Sequence, residues 1–134
     1  MSSKQIIALD VGDKRIGVAV ADSAIGIAVP YDTIEVDGTE ITQILELIAQ
    51  DHTEKIVVGY PRNQSGETTQ QTVKVEDFVA RLNELDVDIV YQDESLTSVL
   101  ATQQLEATGK PYKKADVHMV AASLILADYM ESQR

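Results

Sequence analysis

Asp10 stands near the end of an apolar run in the stretch ALDVGDKRIGVAV, residues 8–20. A second acid, Glu94, follows another apolar run, VDIVYQ, at 87–92. Brought together beside open space, two carboxylates are hard oxygen ligands of the kind Mg²⁺ or Mn²⁺ prefers, with the remaining positions left to water and phosphate. Two such ions can activate water and stabilise the leaving oxygen in phosphodiester hydrolysis. Each acid also has a plainer reading when taken singly. An Asp close before a Gly is ordinarily a turn residue, and an acid ahead of a helix ordinarily meets the helix dipole. What favours chemistry is the order of the elements that would carry both acids to one rim.

KQIIALD (4–10) reads as a buried strand, and RIGVAVAD (15–22) as its hairpin partner across a turn at Gly12-Asp13. IAVPYDTIEV (27–36) reads as a third strand, and Pro30 within it marks an edge or a bulge. Thr39 is placed to cap a helix in which Ile41, Ile44, Leu45 and Ile48 form one apolar stripe. KIVVGY (55–60) is a short apolar strand entering the loop PRNQSGET. A second helix is expected from about Thr69 to Leu85, with Val75, Phe78, Val79 and Leu82 on one face. The strand at 87–92 precedes a third helix that stops near Gly109, ahead of Pro111. The last helix, roughly 115–131, is apolar or small on most sides and should pack closely on the sheet.

Tight turns make the first three strands antiparallel, and helical crossovers make the later ones parallel. The expected architecture is α/β: one domain over 1–134, with a mixed five-stranded sheet and helices on both faces. Ends of neighbouring strands in such a sheet face a common crevice, which places Asp10 and Glu94 at one rim.

The 134 residues suit one core, and a hydrophobic fraction of 44% supports a packed globule. There is no cysteine, so disulfides and thiolate metal sites are excluded. No run has the length of a signal peptide or a membrane span, so the expectation is a cytoplasmic protein with no membrane partner. The net charge is −11, from 22 acids against 11 Lys plus Arg, which argues against a broad basic surface. Seven acids and no Lys or Arg fall between Asp32 and Glu54, most simply a solvated surface. The bases that matter lie elsewhere: Lys14, Arg15, Arg62, Lys110, Lys113 and Lys114. With one Phe, five Tyr and no Trp, broad base stacking is not expected; Tyr91 and Tyr112 are isolated candidates.

LDVGDKRIGVAV, VVGYPRNQSGET, DESLTS and VHMVAASLILADYM occur in the order seen in the YqgF/RuvX family, which the chain resembles over nearly its whole length. The resemblance implies an RNase H-like fold and a metal-dependent nuclease using Mg²⁺ or Mn²⁺. Maturation of the 5′ end of precursor 16S ribosomal RNA is the function it implies; resolution of branched DNA at Holliday junctions is the alternative. It matches Asp10 to the family's first-strand acid and Glu94 to the acid of its Asp-Glu-Arg-Leu-Thr motif. The family's third acid falls at His118 here.

Asp116 does not replace that acid readily, because residues two apart on a helix point about 200° apart. His118 shares a face with Ala122 and Ile125, the side expected against the sheet, while Asp116 suits a helix cap. A neutral imidazole can bind a transition metal but adds no negative charge, which favours Mn²⁺ over Mg²⁺. A core or substrate-contacting histidine is the equally open reading of His118, and His52 reads as exposed. Asp13 stands where the family usually has Thr, and Ser95 where it has Arg, both weakening anion binding. Arg62 and Asn63, after Gly59, are candidates to hold phosphate, as are Lys14 and Arg15.

Three function classes therefore stand. One is a nuclease for structured precursor rRNA or branched DNA, acting as monomer or homodimer. Another is a nucleotide-binding fragment of the actin-like ATPase type, whose phosphate-gripping hairpin DVGDKRIGVAV also resembles. The third is a non-catalytic ribosome-assembly or nucleic-acid-binding factor on the same fold, favoured by the missing third acid and the acidic surface.

Overall fold

The computed structural model describes residues 4–50, 52–62, 65–83, 87–94 and 97–133. Five strands form one sheet: β1 (Gln5–Val11), β2 (Arg15–Asp22), β3 (Val29–Glu35), β4 (Thr53–Pro61) and β5 (Asp88–Glu94). Their spatial order is β3-β2-β1-β4-β5. The first three strands are antiparallel, whereas β1–β4 and β4–β5 are parallel. Helices α1 (Glu40–Gln50) and α2 (Gln70–Leu82) provide the crossovers, and α3 (Thr97–Ala107) and α4 (Lys114–Ser132) end the chain. This is the mixed sheet that the sequence predicts.

The central strands are buried on both faces, which is why they read as near-continuous apolar runs. Their alternation is one of size rather than polarity. Ile7, Leu9, Ile16, Val18, Ile56 and Val58 face α1 and α2, meeting Ile44, Val75, Phe78 and Leu82. On the opposite face Ala8, Ala19, Ala21 and Val57 meet Ala122, Ile125, Leu126 and Tyr129 of α4. Small residues on the second face let α4 approach the sheet backbone. The approach is tightest at Gly17, where a Cβ would lie 1.9 Å from the His118 carbonyl oxygen.

Two contacts clamp α4 along that face. Thr33 donates its hydroxyl to the Ala115 carbonyl at 2.7 Å, near the helix start. Lys55 Nζ donates to the Tyr129 hydroxyl at 2.9 Å, near its end. On the other side, the start of α2 holds the ends of two strands. Gln71 Nε2 donates to the Val11 carbonyl at 2.7 Å, and the Thr72 hydroxyl to the Pro61 carbonyl at 2.6 Å.

Some boundaries differ from expectation. Both β1 and β5 run further, so Asp10 is no longer the last residue of its strand and Glu94 lies in β5 rather than just past it. Helix α2 ends at Leu82 because Asn83 already closes it, donating its backbone N–H to the Val79 carbonyl at 3.0 Å; residues 84–86 lie outside the described residues. Thr39 precedes α1 as expected, and its carbonyl accepts the Gln43 N–H at 3.0 Å. Its hydroxyl does not cap the helix backbone; it donates to Asp37 Oδ1 at 2.6 Å. Pro30 lies on the edge strand β3, beside an irregular register between Val18 and Ala19 of β2. No helix among the described residues is long and apolar enough to cross a membrane.

The contact at Gly17 makes a direct prediction. Gly17→Ala must push α4 off the sheet, and overpacking of this kind costs about 1–3 kcal/mol. The expected result is a lower urea midpoint with an unchanged slope; an unchanged midpoint would show that α4 does not seat on β2 as described.

Candidate active site

Asp10 and Glu94 leave the sheet on the α4 side. On β1, Asp10 is directly opposite Gly17 of β2, and the β1–β4 pairing runs to Leu9 and Val58, so Gly59 is the next residue beside it. On β5, Gln92 is level with Gly59 and Glu94 with Pro61. Strand β4 separates the two acids and Glu94 lies two residues further along, so their backbones are roughly 12 Å apart. The gap is closed by the longer side chain. A Cβ on Gly59 would lie 3.1 Å from the Glu94 carboxylate and 2.7 Å from Ile125 Cδ1. Glu94 therefore leans over β4 through space that only glycine leaves free. Gly59 matters because it makes room for an acid of the protein, and not, as the sequence suggests, because it admits substrate to the backbone.

Thr97 fixes the reaching carboxylate. Its hydroxyl donates to Glu94 Oε2 at 2.9 Å, and the residue is buried. Thr97 is not among the site residues expected from the sequence, although a hydroxyl three residues after an acid at a helix start is the available signal. Burial, and next the charge of Asp10, push the Glu94 carboxyl up to about 7, and the Thr97 hydrogen bond partly opposes them. Burial and a like charge both disfavour the ionised form of a carboxyl.

His118 approaches Asp10 from α4. Its Nδ1 is 3.6 Å from Asp10 Oδ2, too far for a hydrogen bond. That nitrogen is buried and has no hydrogen-bond partner. The ring passes close to the β1–β2 turn: a Cβ on Gly12 would lie 3.6 Å from His118 Cε1. Asp116 points elsewhere, accepting the Lys113 backbone N–H at 2.8 Å as a helix cap. Helical geometry thus separates these two residues as expected.

The donor chemistry suits a divalent cation in one respect and not in another. Two neighbouring carboxylates, one of them pushed up by burial and then by the other's charge, and an orphaned imidazole nitrogen are groups that a cation would satisfy. Yet the described residues contain no group of three His, Asp or Glu side chains gathered to hold one ion. The fit is to Asp10 and Glu94, with His118 beside Asp10; the three-ligand set expected from the sequence is not assembled.

The expected phosphate-binding residues are dispersed. Arg62 Nε pairs with Asp93 Oδ1 at 3.1 Å and lies over the Tyr60 ring. Asp93 and Glu94 are consecutive strand residues, so they point to opposite faces, and Arg62 follows Asp93 away from the cluster. Asn63 lies outside the described residues, as does Ser95. Arg15 pairs with Glu35 at 3.4 Å. Lys14 is exposed on the turn and forms no ion pair among the described residues. Asp13 is paired with Lys74 at 2.8 Å, so the charge expected to burden the site is already met. A hollow of about 550 Å³ is lined by Gln5, Ile25, Ile27 and Val29. It lies at the other end of β1, about 17 Å along the strand from Asp10, and takes no part in the cluster.

The family profile described as RuvX, Holliday junction resolvase, matches residues 4–132. A relative from Chloroflexus aurantiacus, named "Putative pre-16S rRNA nuclease", is 42% identical over 100% of this chain and 91% of its own. A Roseiflexus protein of the same name is 39% identical over 100% of both chains. Among solved structures, Thermus thermophilus RuvC bound to a Holliday junction superposes with a TM-score of 0.58. That match has 13% identity and covers 96% of this chain and 95% of the other. The fowlpox virus resolvase in complex with junction DNA gives 0.54 at 13% identity, covering 96% and 98%. These two likenesses establish the shared RNase H-like fold.

The raised Glu94 carboxyl predicts a pH effect in the metal-free protein. An acid whose pKa is higher folded than unfolded costs stability as pH rises from about 4.5 to about 7. Glu94→Gln escapes that cost, which is on the order of 2–3 kcal/mol. In EDTA, the melting temperature of Glu94→Gln relative to the parent should therefore rise between pH 5 and pH 8. A difference that stays constant with pH would show that Glu94 is not pressed against Asp10.

Proposed function

Because the chain belongs to the RuvX family, we propose that it is a nuclease that hydrolyses phosphodiester bonds, with precursor 16S rRNA as its substrate. The observation that carries this reading is the convergence of Asp10 and Glu94 over Gly59 on the α4 face. Names of relatives supply the substrate; branched DNA, the ligand in the RuvC and fowlpox structures, is the alternative substrate on the same fold.

Asp10 and Glu94 would hold Mg²⁺ or Mn²⁺. Such an ion supplies Lewis-acid stabilisation of the phosphate and lowers the pKa of water. The protein's part is to hold the acids in place before substrate arrives. Asp10 is fixed by the hairpin on one side and β4 on the other. Glu94 is fixed by the β5 backbone, by Thr97 at Oε2 and by the space over Gly59. Burial keeps bulk water from screening the pair, so their combined charge acts strongly on whatever enters. His118 turns an unpartnered nitrogen toward Asp10 at the family's third acidic position and is the third catalytic candidate. Hydrolysis would break a P–O bond and leave a 3′ hydroxyl and a 5′ phosphate.

The imidazole in place of a carboxylate favours the third function class, a binding factor with a weakened site. One experiment separates the two. The purified chain, Asp10→Asn and His118→Asp are incubated with precursor 16S RNA in Mg²⁺ and in Mn²⁺. The expected result is cleavage that is faster in Mn²⁺ and lost, by at least a hundredfold, in Asp10→Asn. His118→Asp should improve activity in Mg²⁺ relative to Mn²⁺. Binding of the RNA without cleavage in either metal would establish the factor instead.

A further inference from the structure

The cations of the chain divide into two populations. Among the described residues, Arg15, Lys55, Arg62, Lys74 and Arg81 are each paired with a carboxylate. Lys4, Lys14, Lys110, Lys113 and Lys114 form no such pair. Lys4 is next to the start of β1, remote from the acids. The others belong to two adjacent segments, the β1–β2 turn and the connection from α3 to α4, and all are exposed.

Those two segments flank the acidic cluster. Lys14 is two residues beyond Gly12, the glycine that His118 Cε1 approaches. Lys114 is four residues before His118, hence on the same side of α4 and about 6 Å along its axis. The clamp from Thr33 to Ala115 holds this first turn against the sheet. Among the described residues, the unpaired positive charge thus falls, Lys4 apart, on the two segments that border Gly12 and His118.

Local stability does not explain lysines in this place. The first turn of a helix favours acids and disfavours cations, by about 0.3–1 kcal/mol per charge. Lys113 and Lys114 stand at that end of α4, with Asp116 as the only acid in the first turn. Their charge raises the energy of the free protein and becomes favourable when an anion arrives. Elsewhere the acidic surface repels a polyanion, so the lysine segments are where one can approach.

We propose that Lys14, Lys110, Lys113 and Lys114 form the track on which the phosphate backbone of the nucleic-acid strand reaches Asp10 and Glu94. The strand enters on the α4 side, not over the connection from β4 to α2, where Asp93 already occupies Arg62. This inference rests on the nuclease reading and names the substrate surface of that same site. Because the contacts are to phosphate, they are common to RNA and DNA.

The test measures binding by fluorescence anisotropy across 50–300 mM salt, with the full chain in EDTA so that nothing is cleaved. The probes are an RNA hairpin with a 5′ single-stranded tail and a DNA four-way junction. The combined variant Lys110→Gln/Lys113→Gln/Lys114→Gln should bind both probes at least tenfold more weakly. Its slope of log affinity against log salt should fall by about 2–3. Lys14→Gln, on a separate element, should lower the slope by about 1, while Lys4→Gln and Arg62→Gln should leave it unchanged. The melting temperature of the combined variant should equal or exceed that of the parent, which separates lost contacts from unfolding. A parent that binds while the lysine variants match it in affinity and slope overturns the track and leaves the nuclease reading standing. A parent that binds neither probe at any salt overturns both.

Discussion

Two like charges are brought together because one strand has no side chain in their way. Asp10 and Glu94 grow from strands that do not touch, and the intervening β4 carries glycine at the crossing point. Burial and repulsion hold the Glu94 carboxyl near neutrality, and a single hydroxyl, that of Thr97, steadies it. This arrangement costs stability in the free protein. It is a local conflict of the kind concentrated at functional sites, where the rest of the fold over-determines an unfavourable placement.

The remainder of the structure is arranged to sustain that conflict. Large aliphatic residues fill the face shared with α1 and α2. The other face is rich in alanine and glycine, so α4 can sit on the sheet backbone. Close seating carries His118 to Asp10, and the Thr33 and Lys55 contacts keep the helix in register. Stability and chemistry are thus assigned to opposite faces of one sheet.

Charge is divided in a similar way. Arg62 and Asp13 look like site residues when only their positions along the chain are considered, yet each has a structural counter-ion. Pairing removes Arg62 as a free phosphate contact and removes Asp13 as an unopposed negative charge. Among the described residues, lysines near the start of α4 have no such counter-ion. In a protein this acidic, the identity of the unpaired cations says more about a polyanionic partner than the total does.

Much of the molecule could be read in one dimension. Strand and helix order followed from apolar periodicity, and the antiparallel start from the short turn at Gly12-Asp13, because both depend on neighbours along the chain. The same holds for Asp10, Glu94 and the separation of Asp116 from His118 around a helix. What required the tertiary structure were relations across strands: Gly59 as the space for Glu94, Gly17 as the seat of α4, Thr97 as the donor, and the capture of Arg62 by Asp93. A missing Cβ leaves no mark in sequence that says which distant atom fills its place. Nor can a charge be recognised as neutralised until register decides what lies opposite. Local periodicity therefore determined the elements and nominated the acids, while strand order and side-chain reach decided which candidates meet.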